Sequence, residues 1–119
     1  MRERKICTGT ICCVPIDVFV TDGDAGSFNM GARFVKVGIG GTWRETLAAL
    51  LHETYEAVAA MLDCRFANIN RQVYSDSYVF HFDHNKFSAI NEEAATFLVD
   101  VLPNLSSAWA KKHKRNKMT

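Results

Sequence analysis

TWRETLAALLHETYEAVAAMLDCRF, residues 42–66, is the longest segment with a single structural reading, and the fold class turns on it. Thr42 followed three residues later by Glu45 is a capping-box pattern, and Gly40 and Gly41 just before it end whatever strand precedes. At about 100° per residue, Trp43, Leu47, Leu50, Leu51, Tyr55, Val58, Met61 and Leu62 share one broad apolar arc. His52, Glu56, Glu45 and Asp63 fall on a narrow polar stripe outside it, interspersed with Ala48, Ala49 and Ala59, and Glu53 stands at the rim. A core helix ending near Asp63, Cys64 and Arg65 is the expectation.

On the N-terminal side, VPIDVFVT (14–21) places Val14, Ile16, Val18 and Val20 at every second position, as a half-buried strand requires. Pro15 donates no ladder hydrogen bond, so this is an edge strand or one whose pairing begins after the proline. RFVKVGI (33–39) reads as a second strand, and the Gly- and Asp-rich DGDAGSFNMGA between them as a connection from which Phe28 and Met30 tuck against the core. That order suggests the start of a β-meander. On the C-terminal side, ANINRQVYSDS reads as a loop or irregular strand and YVFHFDH (78–84) as a third strand. Asn85 then caps a second helix with Phe87, Ile90, Ala94, Phe97, Leu98 and Val101 on its apolar face, until Pro103 kinks it or opens a new segment carrying Leu105 and Trp109. The expectation is an α+β domain: a small, mostly antiparallel sheet of about three strands packed on two main helices, in the order β-β-α-β-α.

With 119 residues, 48% of them hydrophobic, the chain suits one domain over residues 1–119 whose core needs no staples. No run of about 18 apolar residues offers a membrane span, and MRERKICTGTICC lacks the pattern of a signal peptide, so a cytosolic location is expected. Cys7, Cys12, Cys13 and Cys64 show no paired C-x-x-C spacing and read as small apolar residues, with Cys12 and Cys13 on opposite sides of a strand. Eight of the 14 basic residues lie in the ends, 1–10 and 111–119, which read as flexible basic tails. Between residues 6 and 110, twelve acids face six bases, a net of −6 that disfavours a broad nucleic-acid face and suits a cation. Only the basic C-terminal tail could touch phosphates.

The chemistry concentrates in HETYE, residues 52–56. His52 and Glu56, four apart on a helix, point the same way and could share a metal ion such as zinc or another divalent transition metal, with Glu53 beside them as a base toward metal-bound water. Glu56 as a ligand adds negative charge, which weakens the acidification of that water. A third ligand could come from the end of the third strand, first His84, with His81, Asp83 and Glu93 as alternatives. Without a third donor, HETYE is a solvated polar stripe.

WRETLAALLHETYEAVAAML and FHFDHNKFSAINEEAATFLVDVLPNL together resemble a group of small phage- and prophage-encoded proteins of undefined activity. These pair a W-x-x-T-L-x-x-L-L-H-E-x-x-E-A helix with a later F-x-x-D-H-x-x-F segment and a closing F-L-x-x-x-L-P-x-L helix. The likeness spans residues 34–109 and implies a mobile-element source. More distantly, the helix resembles that of minimal zincin-like metallopeptidase domains, which implies His52 as ligand and Glu53 as general base. Glu56 stands where those domains carry a second His, a departure that bears on proteolysis. The leading expectation is a cytosolic, phage-type protein with a metal site, a minimal metallohydrolase acting on a peptide substrate if it is catalytic. Its rivals are a non-enzymatic accessory or counter-defence protein that binds a host protein, and a homodimer whose sheet face a second copy completes.

Overall fold

Period-two apolar spacing in VPIDVFVT does what it requires of a half-buried strand: Ile16, Val18 and Val20 are buried on one face, while Asp17, Phe19 and Thr21 lie on the other. In the computed structural model, which describes residues 3–67, 78–80 and 82–118, this strand is one of four in the main sheet. These are β1 (Arg4–Ile11), β2 (Val14–Thr21), β3 (Gly26–Asn29) and β4 (Phe34–Gly38), in the order β1-β2-β4-β3. Helix α1 (Trp43–Met61) follows, then a separate two-stranded pair, β5 (Arg65–Ala67) with β6 (Tyr78–Phe80), and finally α2 (His84–Met118). The α+β class is as expected, but the order is β-β-β-β-α-β-β-α and the main sheet is mixed.

β1 and β2 form an antiparallel hairpin, β2 and β4 run parallel, and β3 is antiparallel to β4. No meander forms, because the connection after β2 carries the chain to the far edge, where β3 turns it back and β4 slots between β2 and β3. That connection lies tightly over the end of β4: Gly38 N–H donates to Ala25 O at 2.8 Å and Gly40 N–H to Gly23 O at 2.8 Å. A Cβ at Gly38 would meet Gly23 O at 2.4 Å, and one at Gly40 would meet Asp22 O at 2.2 Å, so only glycine lets these backbones touch. Pro15 is accommodated because β2 begins pairing with β4 only at Asp17; the strand itself is interior, not an edge.

Residues 4–10, within the basic end 1–10 that was expected to be flexible, lie in strand β1. Their apolar signal is masked because Gly9 sits where a large residue is usual on the buried face. A Cβ there would come within 2.6 Å of the Phe97 ring, so the glycine is the seat on which α2 lies against β1. Phe97 is fully buried, and truncating such a side chain typically costs about 3–5 kcal/mol. Both helices cover this one face. The other carries Phe19 edge-to-face with Phe34 at 6.2 Å, Lys36 Nζ 4.9 Å from the Phe34 ring, and Asp17 bonded to Lys5 at 3.1 Å and Thr8 at 3.0 Å. Lys5, and then Thr8, hold the Asp17 carboxyl below its ordinary range.

The capping box of α1 forms as expected: Glu45 N–H donates to Thr42 Oγ1 at 3.2 Å and Thr42 N–H to Glu45 Oε1 at 3.0 Å. The helix ends in a Schellman arrangement, with Cys64 N–H on Ala59 O, Asp63 N–H on Ala60 O, and Asp63 at φ 56°. Its buried stripe differs from the expected arc. Thr46, Leu50, Glu53, Thr54, Ala57, Val58 and Ala59 are buried, whereas Tyr55 is 41% exposed. Small and polar residues face the sheet because α1 packs closely on β4 and β3; Thr46 Oγ1, for example, donates to Gly38 O at 3.1 Å.

α2 continues through Pro103 to Met118 as one helix, so the proline does not open a new segment. Pro103 lies on the exposed side, so the carbonyl it leaves unbonded can meet water. Of the other end expected to be flexible, 111–119, residues 111–118 are helical, and side chains around residue 112 are tied to the sheet side. His113 Nε2 bonds Ile39 O at 3.0 Å, Trp109 Nε1–H donates to Gly41 O at 3.0 Å, and Lys112 pairs with Asp22 at 3.2 Å. Of the expected loop over residues 67–77 only Ala67, at the end of β5, is described, and residues 68–77 and the candidate ligand His81 lie outside the described residues. No helix among the described residues is long and apolar enough to cross a membrane.

Candidate metal centre on the first helix

His52 and Glu56 sit one helical turn apart on α1, and His52 Nε2 lies 3.2 Å from Glu56 Oε2. The imidazole is mostly in solvent, its side chain 69% exposed against 21% for Glu56. An exposed pair of this kind is worth about 0.3–0.5 kcal/mol, too little for the pair to be a device for holding the helix.

Glu53 is the residue whose place differs most from the sequence reading. Expected at the rim, it is 5% exposed and belongs to the buried stripe with Leu50, Thr54 and Ala57. Its side chain lies against β3, where Gly26 has no Cβ: one built there would stand 3.0 Å from Glu53 Cγ and 3.2 Å from Lys36 O. Consecutive helix positions diverge by about 100°, so only the reach of the side chains can bring such neighbours together. Here it does, and a nitrogen of His52 and one carboxylate oxygen each of Glu53 and Glu56 all lie within 4.8 Å of one another. Those three atoms could hold a metal ion.

The other expected donors are placed elsewhere. Asp83 is the N-cap of α2, accepting from Lys86 N–H at Oδ1 (2.9 Å) and from Phe87 N–H at its carbonyl (2.9 Å), the role expected of Asn85. His84 is the first residue of that helix and is exposed. Lys86 Nζ donates to Leu62 O at 2.6 Å, which docks the start of α2 at the C-terminal end of α1. Leu62 lies ten residues beyond His52, about 15 Å along the axis at 1.5 Å per residue, so the segment carrying His84 arrives at the wrong end of α1. Glu93 is engaged on the other side of α2, where its Oε1 accepts from Cys12 N–H at 2.7 Å. The structure therefore brings His52, Glu53 and Glu56 together, and includes neither His84, Asp83 nor Glu93 in that group.

What the sequence reading missed is Glu53 as a donor and Gly26 as its seat. The signal for Glu53 was present: it stands three and four residues from Leu50 and Ala57, inside a helical stripe of otherwise small or apolar residues. Compared with known proteins, the chain matches no family model, no curated protein and no solved structure.

Proposed function

We propose that the protein binds a divalent transition metal through His52, Glu53 and Glu56, and that the bound ion supports hydrolysis of a peptide or similar bond. The observation that carries this reading is the mutual approach, within 4.8 Å, of three donor atoms from one turn of α1. Two carboxylates and one imidazole suit zinc and its first-row neighbours. Such an ion would supply a bound water with a lowered pKa. The chain's own residues divide the remaining work. Glu53, buried against Gly26, would be the fixed member of the donor set, and His52 and Glu56, which reach toward solvent, would complete it. With His52, Glu53 and Glu56 all serving as ligands, a general base toward a bound water would have to be a group other than these three.

Metal content measured on protein purified without chelator or affinity tag tests this directly. About one transition metal ion per chain, absent from His52→Ala, supports the site. Metal-dependent cleavage of a fluorogenic peptide pool, lost on chelation and in Glu53→Gln, supports catalysis; metal without cleavage leaves a binding site only.

A second reading, a protein that acts by binding a partner, is favoured by Phe80, Phe82 and Phe87, which are 47%, 42% and 49% exposed near the start of α2. A phage-type accessory role belongs to this second reading. Capture of one host protein, unaffected by His52→Ala, would favour it.

A further inference from the structure

The turn between β1 and β2 is made by Cys12 and Cys13, flanked by the paired residues Ile11 and Val14. The two cysteines therefore do not occupy opposite faces of a strand, as the sequence suggested. They are the whole of a two-residue hairpin tip, with φ of 49° and 65°. Such turns ordinarily carry Asn, Asp or Gly, because both central residues take the left-handed region. Cys13 is exposed, Cys12 is half-buried, and both thiols are free. The tip is also held from the side: Glu93, half-buried on α2, accepts the Cys12 N–H at 2.7 Å, so the backbone that spaces the two sulfurs is fixed to the core.

Adjacent residues joined by a trans peptide have Cα atoms about 3.8 Å apart, below the roughly 4.4–6.8 Å span of ordinary disulfides. A direct S–S bond is thus strained, and an atom inserted between the sulfurs relaxes the ring by adding one member. We infer that the Cys12–Cys13 tip is a bidentate dithiol site for thiophilic trivalent arsenicals and soft cations of the same preference. For an arylarsenous acid the step is a ligand exchange. Two As–S bonds form, two As–O bonds break, each thiol proton leaves on a hydroxide as water, and arsenic stays trivalent.

The electrostatics favour a reagent that takes both thiols over one that seeks a single thiolate. Burial raises the Cys12 thiol pKa, and the Glu93 carboxylate and then Cys13 raise it further. Such a thiol reacts slowly with simple alkylators. The other two cysteines stand apart from the tip, Cys7 on β1 and Cys64 buried below α1 with its thiol directed to Leu62 O at 3.5 Å.

The test uses phenylarsine oxide with the full chain in excess 2-mercaptoethanol, read by intact mass. The expected result is one aryl-arsenic adduct per chain that survives the monothiol and is removed by 2,3-dimercaptopropanol. It should persist in Cys7→Ala, Cys64→Ala and His52→Ala, and vanish in Cys13→Ala. The double change Cys12→Asn with Cys13→Gly suits the turn better than the native pair, so it folds while lacking both thiols; it should show no adduct and a raised thermal midpoint. No adduct on the native chain, an adduct retained in Cys13→Ala, or one lost in Cys7→Ala would each overturn the inference.

Discussion

Two segments carry three of the four histidines, and the fold treats them in opposite ways. In HETYE, one turn of α1 gathers three potential ligands, and the buried member, Glu53, is seated against a glycine of the neighbouring strand. In HFDH, the two described residues with metal-binding chemistry do mechanical work: Asp83 caps α2, and His84 opens that helix in solvent. What separates the two is backing. A donor becomes part of a site when an adjacent element fixes its side chain, as β3 does for Glu53. A donor at an exposed helix start has only its own backbone to serve.

Removing a donor breaks this contrast most severely. Glu53→Gln and Glu56→Gln should each weaken divalent-metal binding by at least about tenfold, the scale of effect seen when even a supporting group is lost. Asp83→Asn and His84→Ala should leave the affinity unchanged within error. Next in size is Gly26→Ala, whose new Cβ would press on Glu53 Cγ at 3.0 Å and on the Lys36 carbonyl at 3.2 Å. It should weaken metal binding several-fold and cost about 1 kcal/mol of stability as Glu53 shifts, measured by calorimetric titration and urea unfolding. Asp83→Ala should lower stability by about 1 kcal/mol through loss of the α2 cap, with no change in metal affinity.

The smallest effect concerns the first turn of α1. The Thr42 backbone N–H, and then its hydroxyl, hold the Glu45 carboxyl below its ordinary range. A depressed folded-state pKa gives a contribution to stability that is present above the unfolded-state value and lost as pH falls through the folded-state value. The unfolding curves of wild type and Glu45→Gln should therefore differ slightly near neutrality and converge in acid.

How much of this was legible in the residues follows from which signals are local. The capping box at Thr42 and Glu45, and the alternation in 14–21 and 34–38, are contained within a few residues, and each formed as its spacing implied. β1 was not legible, because its decisive residue, Gly9, is explained only by Phe97 in a helix far along the chain. β3 is four residues long inside a Gly- and Asp-rich connection, and its pairing with β4 comes from the crossover rather than from its composition. Pro103 marks a break in most helices, but here it falls on the exposed side of α2 and the helix passes through.

The candidate site divides in the same way. His52 and Glu56 were legible as an i, i+4 pair, a property of one helix. Glu53 was legible only in part: its place in the stripe with Leu50 and Ala57 is written in the helix, but its seat against Gly26 depends on how α1 lies over β3 and β4. The expectation for His84 depended on where α2 begins in space, and Lys86 on Leu62 O places that start at the other end of α1.

The most direct test of this account is a calorimetric titration of zinc chloride into wild type, His52→Ala and His84→Ala under identical conditions. The three-donor turn predicts about one zinc per chain for wild type and His84→Ala, and no saturable binding for His52→Ala. Binding lost in His84→Ala but kept in His52→Ala, or absent from the wild type, would contradict it.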